Sequence, residues 1–155
     1  FFVRAATSWG WATWARAWQQ FNPDEEALMK QFDAEKKHQF SIEGSMNFWK
    51  QMQELKAGRN NSWAIRWYAS IFLKGGLTLN PAHSLVSNIG HDGSGVHSGI
   101  NEIYNVSIHP QPVKHFPELI AEHVGAYGLI KAFLKNRKGN LWQRGLRYLN
   151  QHLRI

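Results

Sequence analysis

The chain has 155 residues, of which 43% are hydrophobic and 14% aromatic, and its formal net charge is +7 at pH 7. This length and apolar content suit one globular domain with a real core, and they exclude an intrinsically disordered chain. The sequence has no cysteine, which excludes disulfides, thiolate metal clusters and a cysteine nucleophile.

The first half of the chain is predicted to contain helices joined by short extended segments. Residues 1–4 are typical of the end of a buried strand, and residues 13–20 have helical spacing of their apolar side chains. A second helix is predicted to open within residues 22–26, with proline in its first turn and acidic side chains near the positive end of its dipole. A further helix is expected over residues 41–55.

The second half is predicted to follow the same plan. Ser62 is the expected N-cap of a helix over residues 63–74, which ends at two consecutive glycines. Residues 78–80 are predicted to form a short strand ended by a proline. The longest helix is expected over residues 116–136. The predicted fold class is therefore α/β, mostly helical with a few short strands.

Four tryptophans lie within eleven residues, at Trp9, Trp11, Trp14 and Trp18. Trp14 and Trp18 fall at helical spacing, which favours burial over ligand binding. Trp9 and Trp11 flank Gly10, where the missing Cβ permits close approach of backbone or ligand. An indole N–H at such a position can serve a sugar hydroxyl. The segment therefore predicts a stacking surface for a flat, polyhydroxylated ligand.

A glycine-rich loop is predicted at residues 88–99, with four glycines and two histidines. Its backbone N–H groups could bind phosphate oxygens, and His97 could donate to a diphosphate or ligate a divalent metal. A plain surface turn with surface histidines has the same composition, so both interpretations stay open. The loop matches neither the Walker phosphate motif nor the dinucleotide fingerprint.

The positive charge is concentrated at the C-terminal end. Residues 131–155 carry seven lysines and arginines and no acidic residue, whereas the two charge types balance in the rest of the chain. Apolar residues recur at helical spacing in this tail, which predicts a basic amphipathic helix. Such a helix suits an anionic membrane surface or packs its leucines on the domain, and its short length favours packing. No apolar run reaches the roughly 20 residues of a membrane span.

Three segments, residues 8–18, 61–70 and 81–97, together resemble the C-terminal half of bacterial family 2 glycosyltransferases in order and spacing. The arrangement is more distantly similar to N-acetylglucosaminyltransferase I, an inverting enzyme of the GT-A fold. The resemblance covers about residues 1–100 and adds little beyond residue 115.

The resemblance implies a division of the chain and an activity. Residues 1–115 would be the acceptor-side part of a GT-A catalytic domain whose N-terminal nucleotide-binding half is missing, and residues 116–155 a basic helical tail. The implied reaction is inverting transfer from a nucleoside diphosphate sugar to a hydroxyl of a saccharide or glycoconjugate, in polysaccharide biosynthesis. A divalent metal, manganese or magnesium, would act in the complete enzyme. The implied location is cytoplasmic, with potential peripheral membrane contact through the tail.

The resemblance also assigns site residues. Asn61 falls where an acidic residue is expected to deprotonate the acceptor, and an amide cannot take a proton at neutral pH. The catalytic base would then lie at another position, or the activity of this protein is weakened, or the alignment of this segment with the family is shifted by a few residues. The acidic metal motif is absent, so the chain alone is expected not to catalyse transfer. The acceptor would contact Trp9, Gly10, Trp11, Trp14 and Trp63, the diphosphate and lid would involve Asn88, Gly90, His91, Gly93 and Gly95, and the metal would be reached by His97.

Two other classes of function are compatible with the sequence. A noncatalytic carbohydrate-binding or interaction module would use the tryptophans without nucleotide or metal. A nucleic-acid binder would use the net charge of +7 and aromatic stacking. The basic tail and the tryptophan-rich segment lie at opposite ends of the sequence, so no nucleic-acid partner is expected.

Overall fold

A computed structural model describes residues 1–87 and 106–137 of the chain. The glycine-rich loop and residues 138–155 of the basic tail lie outside these ranges. In the described part, no helix has both the length and the apolar character needed to cross a membrane. The elements in chain order are β1 (Phe2–Val3), α1 (Ala15–Trp18), α2 (Glu25–Met29), α3 (Ala34–Phe40), α4 (Phe48–Lys56), α5 (Trp63–Leu73), β2 (Thr78–Leu79) and α6 (Val124–Asn136).

The two strands form a small antiparallel sheet. Phe2 lies opposite Leu79, and Val3 lies opposite Thr78. Phe2 also forms an isolated parallel bridge with Glu122, just before α6. The predicted strands are therefore confirmed at both positions, and the described residues are mostly helical with one two-stranded sheet.

Side-chain caps explain where three helices begin. The side-chain oxygens of Asp24, Asp33 and Ser62 accept hydrogen bonds from backbone N–H groups three residues later, at 2.9, 2.7 and 3.3 Å. Each bond satisfies a donor that the first turn leaves without a helical partner. The predicted Ser62 cap is confirmed, whereas Pro23 precedes the Asp24 cap and is not in the first turn.

Helices α2 to α5 enclose the main hydrophobic core. Phe40 and Tyr68 lie at its centre, with their rings stacked at a centroid distance of 4.4 Å. The Tyr68 hydroxyl donates to the Phe40 carbonyl oxygen at 3.0 Å, and burial raises the pKa of Tyr68 well above its usual range. The buried members of the core are Leu28, Phe32, Phe40, Met52, Leu55, Ile65, Tyr68 and Ala69.

The helix predicted over residues 41–55 is wrong in its first half. Helix α3 ends at Phe40, and α4 begins only at Phe48. Ile42 and Glu43 both have a φ of 49° in the intervening turn. This left-handed backbone cannot continue a right-handed helix. Helix α3 itself was not predicted.

The helix predicted over residues 116–136 begins later than expected. Helix α6 starts at Val124, where the His123 ring nitrogen accepts a hydrogen bond from the Ala126 backbone at 3.0 Å. Leu119 and Ile120 precede the helix and are 76% and 74% exposed. Their spacing resembled a helical stripe, but they pack on no core.

Helix α6 and the residue before its cap are attached to the first half of the chain by charged contacts. Arg4 forms an ion pair with Glu122 at 2.7 Å, and Glu122 raises the pKa of Arg4. Lys131 pairs with Glu43, and Tyr127 is buried beside β1 in a second apolar cluster. These contacts hold residues 122–134 beside the N-terminal strand.

Candidate functional site

Five aromatic side chains from distant parts of the sequence form what we call the tryptophan cluster. Helix α5 places Trp63 and Trp67 one turn apart, so both project from the same helix face. The segment before α1, α1 itself and the turn after it lie against this face. The cluster consists of Trp11, Trp18, Phe21, Trp63 and Trp67.

The rings of the cluster are in close contact. Trp11 stacks on Trp63 at a centroid distance of 5.3 Å, and Trp18 lies 5.1 Å from Trp67. Trp18 also stacks on Phe21 at 4.9 Å with nearly parallel planes. Aromatic pairs at these separations contribute about 0.5–1.5 kcal/mol each beyond the apolar area that they bury. The cluster therefore fixes the position of Trp11 relative to α5.

An open cleft of about 400 Å³, here called the tryptophan cleft, lies beside the cluster. Indoles form part of its wall, aliphatic side chains from α5 and β2 add apolar surface, and hydroxyl, amide and ammonium groups complete the lining. None of the described residues that line it is acidic. The lining includes Trp11, Trp14, Trp67, Ile71, Leu77 and Leu79, with polar groups from Thr7, Thr13, Gln20, Lys74 and Thr78.

The predicted burial of Trp14 and Trp18 is wrong. Trp14 is 61% exposed and Trp18 is 40% exposed. The reason is that α1 has only four residues, none of them buried, and Trp14 caps it in an extended conformation. The guanidinium of Arg16 lies 5.0 Å from the Trp14 ring centroid and covers one of its faces. Trp14 is thus a solvent-accessible wall of the cleft.

Gly10 has a local structural reason for being glycine. Its φ is +55°, and a Cβ added there would lie 2.6 Å from a methyl carbon of Val86. Gly10, which directly precedes Trp11, therefore has a left-handed backbone and lies in close contact with the segment that contains Val86. Both conditions favour glycine over any residue with a side chain.

Replacing Gly10 with alanine should lower the free energy of unfolding by about 1–2 kcal/mol through the left-handed backbone, and by a further amount through the clash with Val86. The double variant G10A/V86A should remove the clash but retain the backbone cost. Urea denaturation of both variants measures the two parts. Gly128→Ala in α6, where an added Cβ meets nothing within 4 Å, is the matched control. If Gly10→Ala lowers the free energy of unfolding no more than Gly128→Ala does, then neither the backbone conformation nor the contact with Val86 requires glycine at position 10.

The remaining residues predicted for the site have different positions. Trp9 is 55% exposed and is not among the described residues that line the cleft. Trp63 is not among the described lining residues either, but its ring stacks on that of Trp11. Asn61 accepts a hydrogen bond at 3.0 Å from Arg66, whose guanidinium also lies 3.5 Å from Glu25. Asn88, Gly90, His91, Gly93, Gly95 and His97 lie outside the described residues.

Sequence reasoning missed several residues of the cleft. Trp67 lies four positions after Trp63, and that spacing predicts a shared helix face, but nothing in the sequence pairs it with Trp11. Gln20 and Lys74 carry no local signal, because their position depends on how α1 and α5 pack. Within residues 1–87 and 106–137, no three His, Asp or Glu side chains form a group that could hold a metal ion.

The chain was compared with protein-family models, with curated proteins and with solved structures, and none of the three comparisons finds a match. The functional assignment therefore depends on the geometry of the cleft and on the resemblance of the three sequence segments.

Proposed function

We propose that the tryptophan cleft binds a saccharide, and that the chain is the acceptor-side part of a GT-A glycosyltransferase. The observation that carries this proposal is the composition of the cleft, in which indole walls stand next to hydroxyl, amide and ammonium groups. The volume of about 400 Å³ lies within the usual range for small-molecule sites.

The chemistry of the cleft suits a sugar ring. The faces of a pyranose carry C–H groups, which pack on the flat face of an indole, whereas its edges carry hydroxyls that need hydrogen-bond partners. Trp11 and Trp14 supply flat apolar surface, and Gln20, Thr13 and Thr78 supply donors and acceptors. A bound ligand that covers these polar groups without forming hydrogen bonds to them would lose binding free energy. The combination of apolar and polar surface therefore favours a polyhydroxylated ligand.

The resemblance supplies the reaction class. In the proposed complete enzyme, a nucleoside diphosphate sugar is the donor, and a manganese or magnesium ion offsets the charge of the leaving diphosphate. Residues 88–97, with His97, are proposed to act at the diphosphate and metal. Trp9 is proposed to extend the acceptor surface. The basic residues near the C-terminus are proposed to give peripheral membrane contact.

A noncatalytic carbohydrate-binding module is the second candidate, and the environment of Asn61 favours it. The Asn61 amide oxygen is held by the Arg66 guanidinium, so this position presents no group that could deprotonate an acceptor. If the chain is catalytic, its base lies at another position.

The binding proposal is tested by titrating the protein with maltohexaose, cellohexaose and chitohexaose while the tryptophan fluorescence is recorded. We expect one or more of these hexasaccharides to change the emission in a saturable manner, without nucleotide or metal, because Trp11 and Trp14 form the walls of the cleft. Glycerol at equal hydroxyl concentration is the control. No saturable change with any of the hexasaccharides would contradict the proposal.

The two candidates differ in their response to a donor. The open reading frame that encodes this chain, taken from its start codon to its stop codon, is expressed and incubated with radiolabelled nucleoside diphosphate sugars, manganese and the hexasaccharide that binds best. Transfer of label to the saccharide supports the glycosyltransferase. Saccharide binding without transfer from any donor supports the binding module.

A further inference from the structure

A second cleft, here called the histidine cleft, has no tryptophan among the described residues that line it. Its volume is about 410 Å³, and it opens between the segment that follows β2 and residues 109–117. The backbone N–H of His109 donates to the Ser84 carbonyl oxygen at 2.8 Å, which joins these two segments. Among the described residues, Leu79 is the one that lines both this cleft and the tryptophan cleft.

The polar lining of the histidine cleft combines one lysine and three histidines with the amide of Asn80. His83, His109, Lys114 and His115 line it, and none of the described lining residues is acidic. The rings of His83 and His109 stack at a centroid distance of 5.0 Å with an angle of 26° between their planes. One lysine and three histidines therefore line one opening, and no carboxylate is among the described residues that line it with them. An anion placed there would receive a charge-assisted hydrogen bond from the Lys114 ammonium and further hydrogen bonds from imidazole N–H groups.

The rest of the lining is apolar. Phe116 is 64% exposed, Leu85 is 45% exposed and Val113 is 39% exposed, although all three border the same cleft. This apolar wall also includes Phe1, Leu79, Pro81, Ala82 and Pro117. A cleft that combines exposed apolar side chains with a few convergent polar groups has the usual composition of a small-molecule site.

We propose that the histidine cleft binds an organic anion in which an apolar group is attached directly to a phosphate or a carboxylate. The head would lie between Lys114 and the stacked imidazoles, and the apolar group would cover Phe116 and Val113. A neutral apolar compound leaves the basic groups without a partner, and an inorganic anion leaves the apolar wall in water. Only a ligand with both parts satisfies both halves of the lining. This proposal is independent of the saccharide site.

The experiment titrates the protein by calorimetry with four probes, namely hexyl phosphate, hexanoate, hexanol and inorganic phosphate. We expect hexyl phosphate or hexanoate to bind about tenfold more tightly than hexanol and inorganic phosphate, since each of these lacks one part of the ligand. Whichever of the two anions binds more tightly shows whether the preferred head group is a phosphate or a carboxylate. If hexanol binds as tightly as both organic anions, the charged head group is not recognised, and the proposal is overturned. If inorganic phosphate binds as tightly as both organic anions, the apolar group is not recognised, and the proposal is likewise overturned.

Variants locate the binding. His83→Gln, His109→Gln and Lys114→Met should each weaken the better anion about fivefold or more, because each removes a charge or donor from the head-group position. His38→Gln and Lys30→Met change exposed residues outside the cleft and should leave the affinity unchanged. Far-UV circular dichroism checks that all five variants are folded. Equal losses in cleft and control variants would show nonspecific charge attraction and would overturn the proposal.

Discussion

Replacing Phe40 with alanine should lower the free energy of unfolding by about 3–5 kcal/mol, which is a large part of the 5–15 kcal/mol typical of a folded domain. Phe40 is 0% exposed, and its ring stacks on Tyr68 at 4.4 Å. It also lies 5.1 Å from Phe32 and 5.4 Å from Phe72. Removal of the ring would leave a cavity bordered by Phe32, which lies in the turn before α3, and by Tyr68 and Phe72, which both lie on α5.

Urea denaturation followed by circular dichroism measures this effect. We expect the midpoint of Phe40→Ala to fall strongly while the slope of the transition stays constant. Phe116→Ala is the matched control, because Phe116 is 64% exposed and surface substitutions usually change stability by less than about 0.5 kcal/mol. A Phe40→Ala midpoint equal to that of Phe116→Ala would show that Phe40 does not lie in the core.

The sequence predicts the elements whose signals are local. Ser62 caps α5, and the glycine at position 75, with a φ of 68°, follows the end of the same helix. Both signals need only their neighbours in the chain, because a cap bonds to the residue three positions later and a left-handed glycine ends the helix. The two short strands were also predicted from local composition and bounding proline.

The errors occur where tertiary packing overrides a local pattern. Residues 41–46 carry apolar spacing that looks helical, yet Ile42 is buried in the second apolar cluster and takes a left-handed backbone. Leu119 and Ile120 look like the start of the long helix but lie in an irregular, exposed segment. Periodicity shows which residues share a face, and it does not show whether a partner covers that face.

The candidate site was predicted in part for the same reason. The density of tryptophans near the N-terminus pointed to Trp11 and Trp14, which do line the tryptophan cleft. The contact between Trp11 and Trp67 joins residues far apart in the sequence, so no spacing rule predicts it. The exposure of Trp14 follows from the shortness of α1, which ends after four residues.

Replacing Trp14 with alanine should weaken saccharide binding on the order of tenfold or more, while the free energy of unfolding changes by less than about 0.5 kcal/mol. The two effects separate because Trp14 lines the cleft but is 61% exposed, so its ring contributes little to the core. The measurement is the fluorescence titration with the hexasaccharide that binds the unmodified protein most tightly. Trp14→Phe should retain part of the affinity, since it keeps an aromatic face without the indole N–H.

Trp49→Phe is the control that makes this result specific to the cleft. Trp49 packs against Phe32 at 5.3 Å beneath the Lys37 ammonium, and it is not among the described residues that line the cleft. Its substitution also removes one indole, so it corrects for the change in fluorescence, and it should leave the saccharide affinity unchanged. If Trp14→Ala binds as tightly as Trp49→Phe, the saccharide does not lie against Trp14, and the tryptophan cleft loses its proposed ligand. If only Trp14→Ala loses affinity at constant stability, the ring acts on the ligand directly and not through the fold.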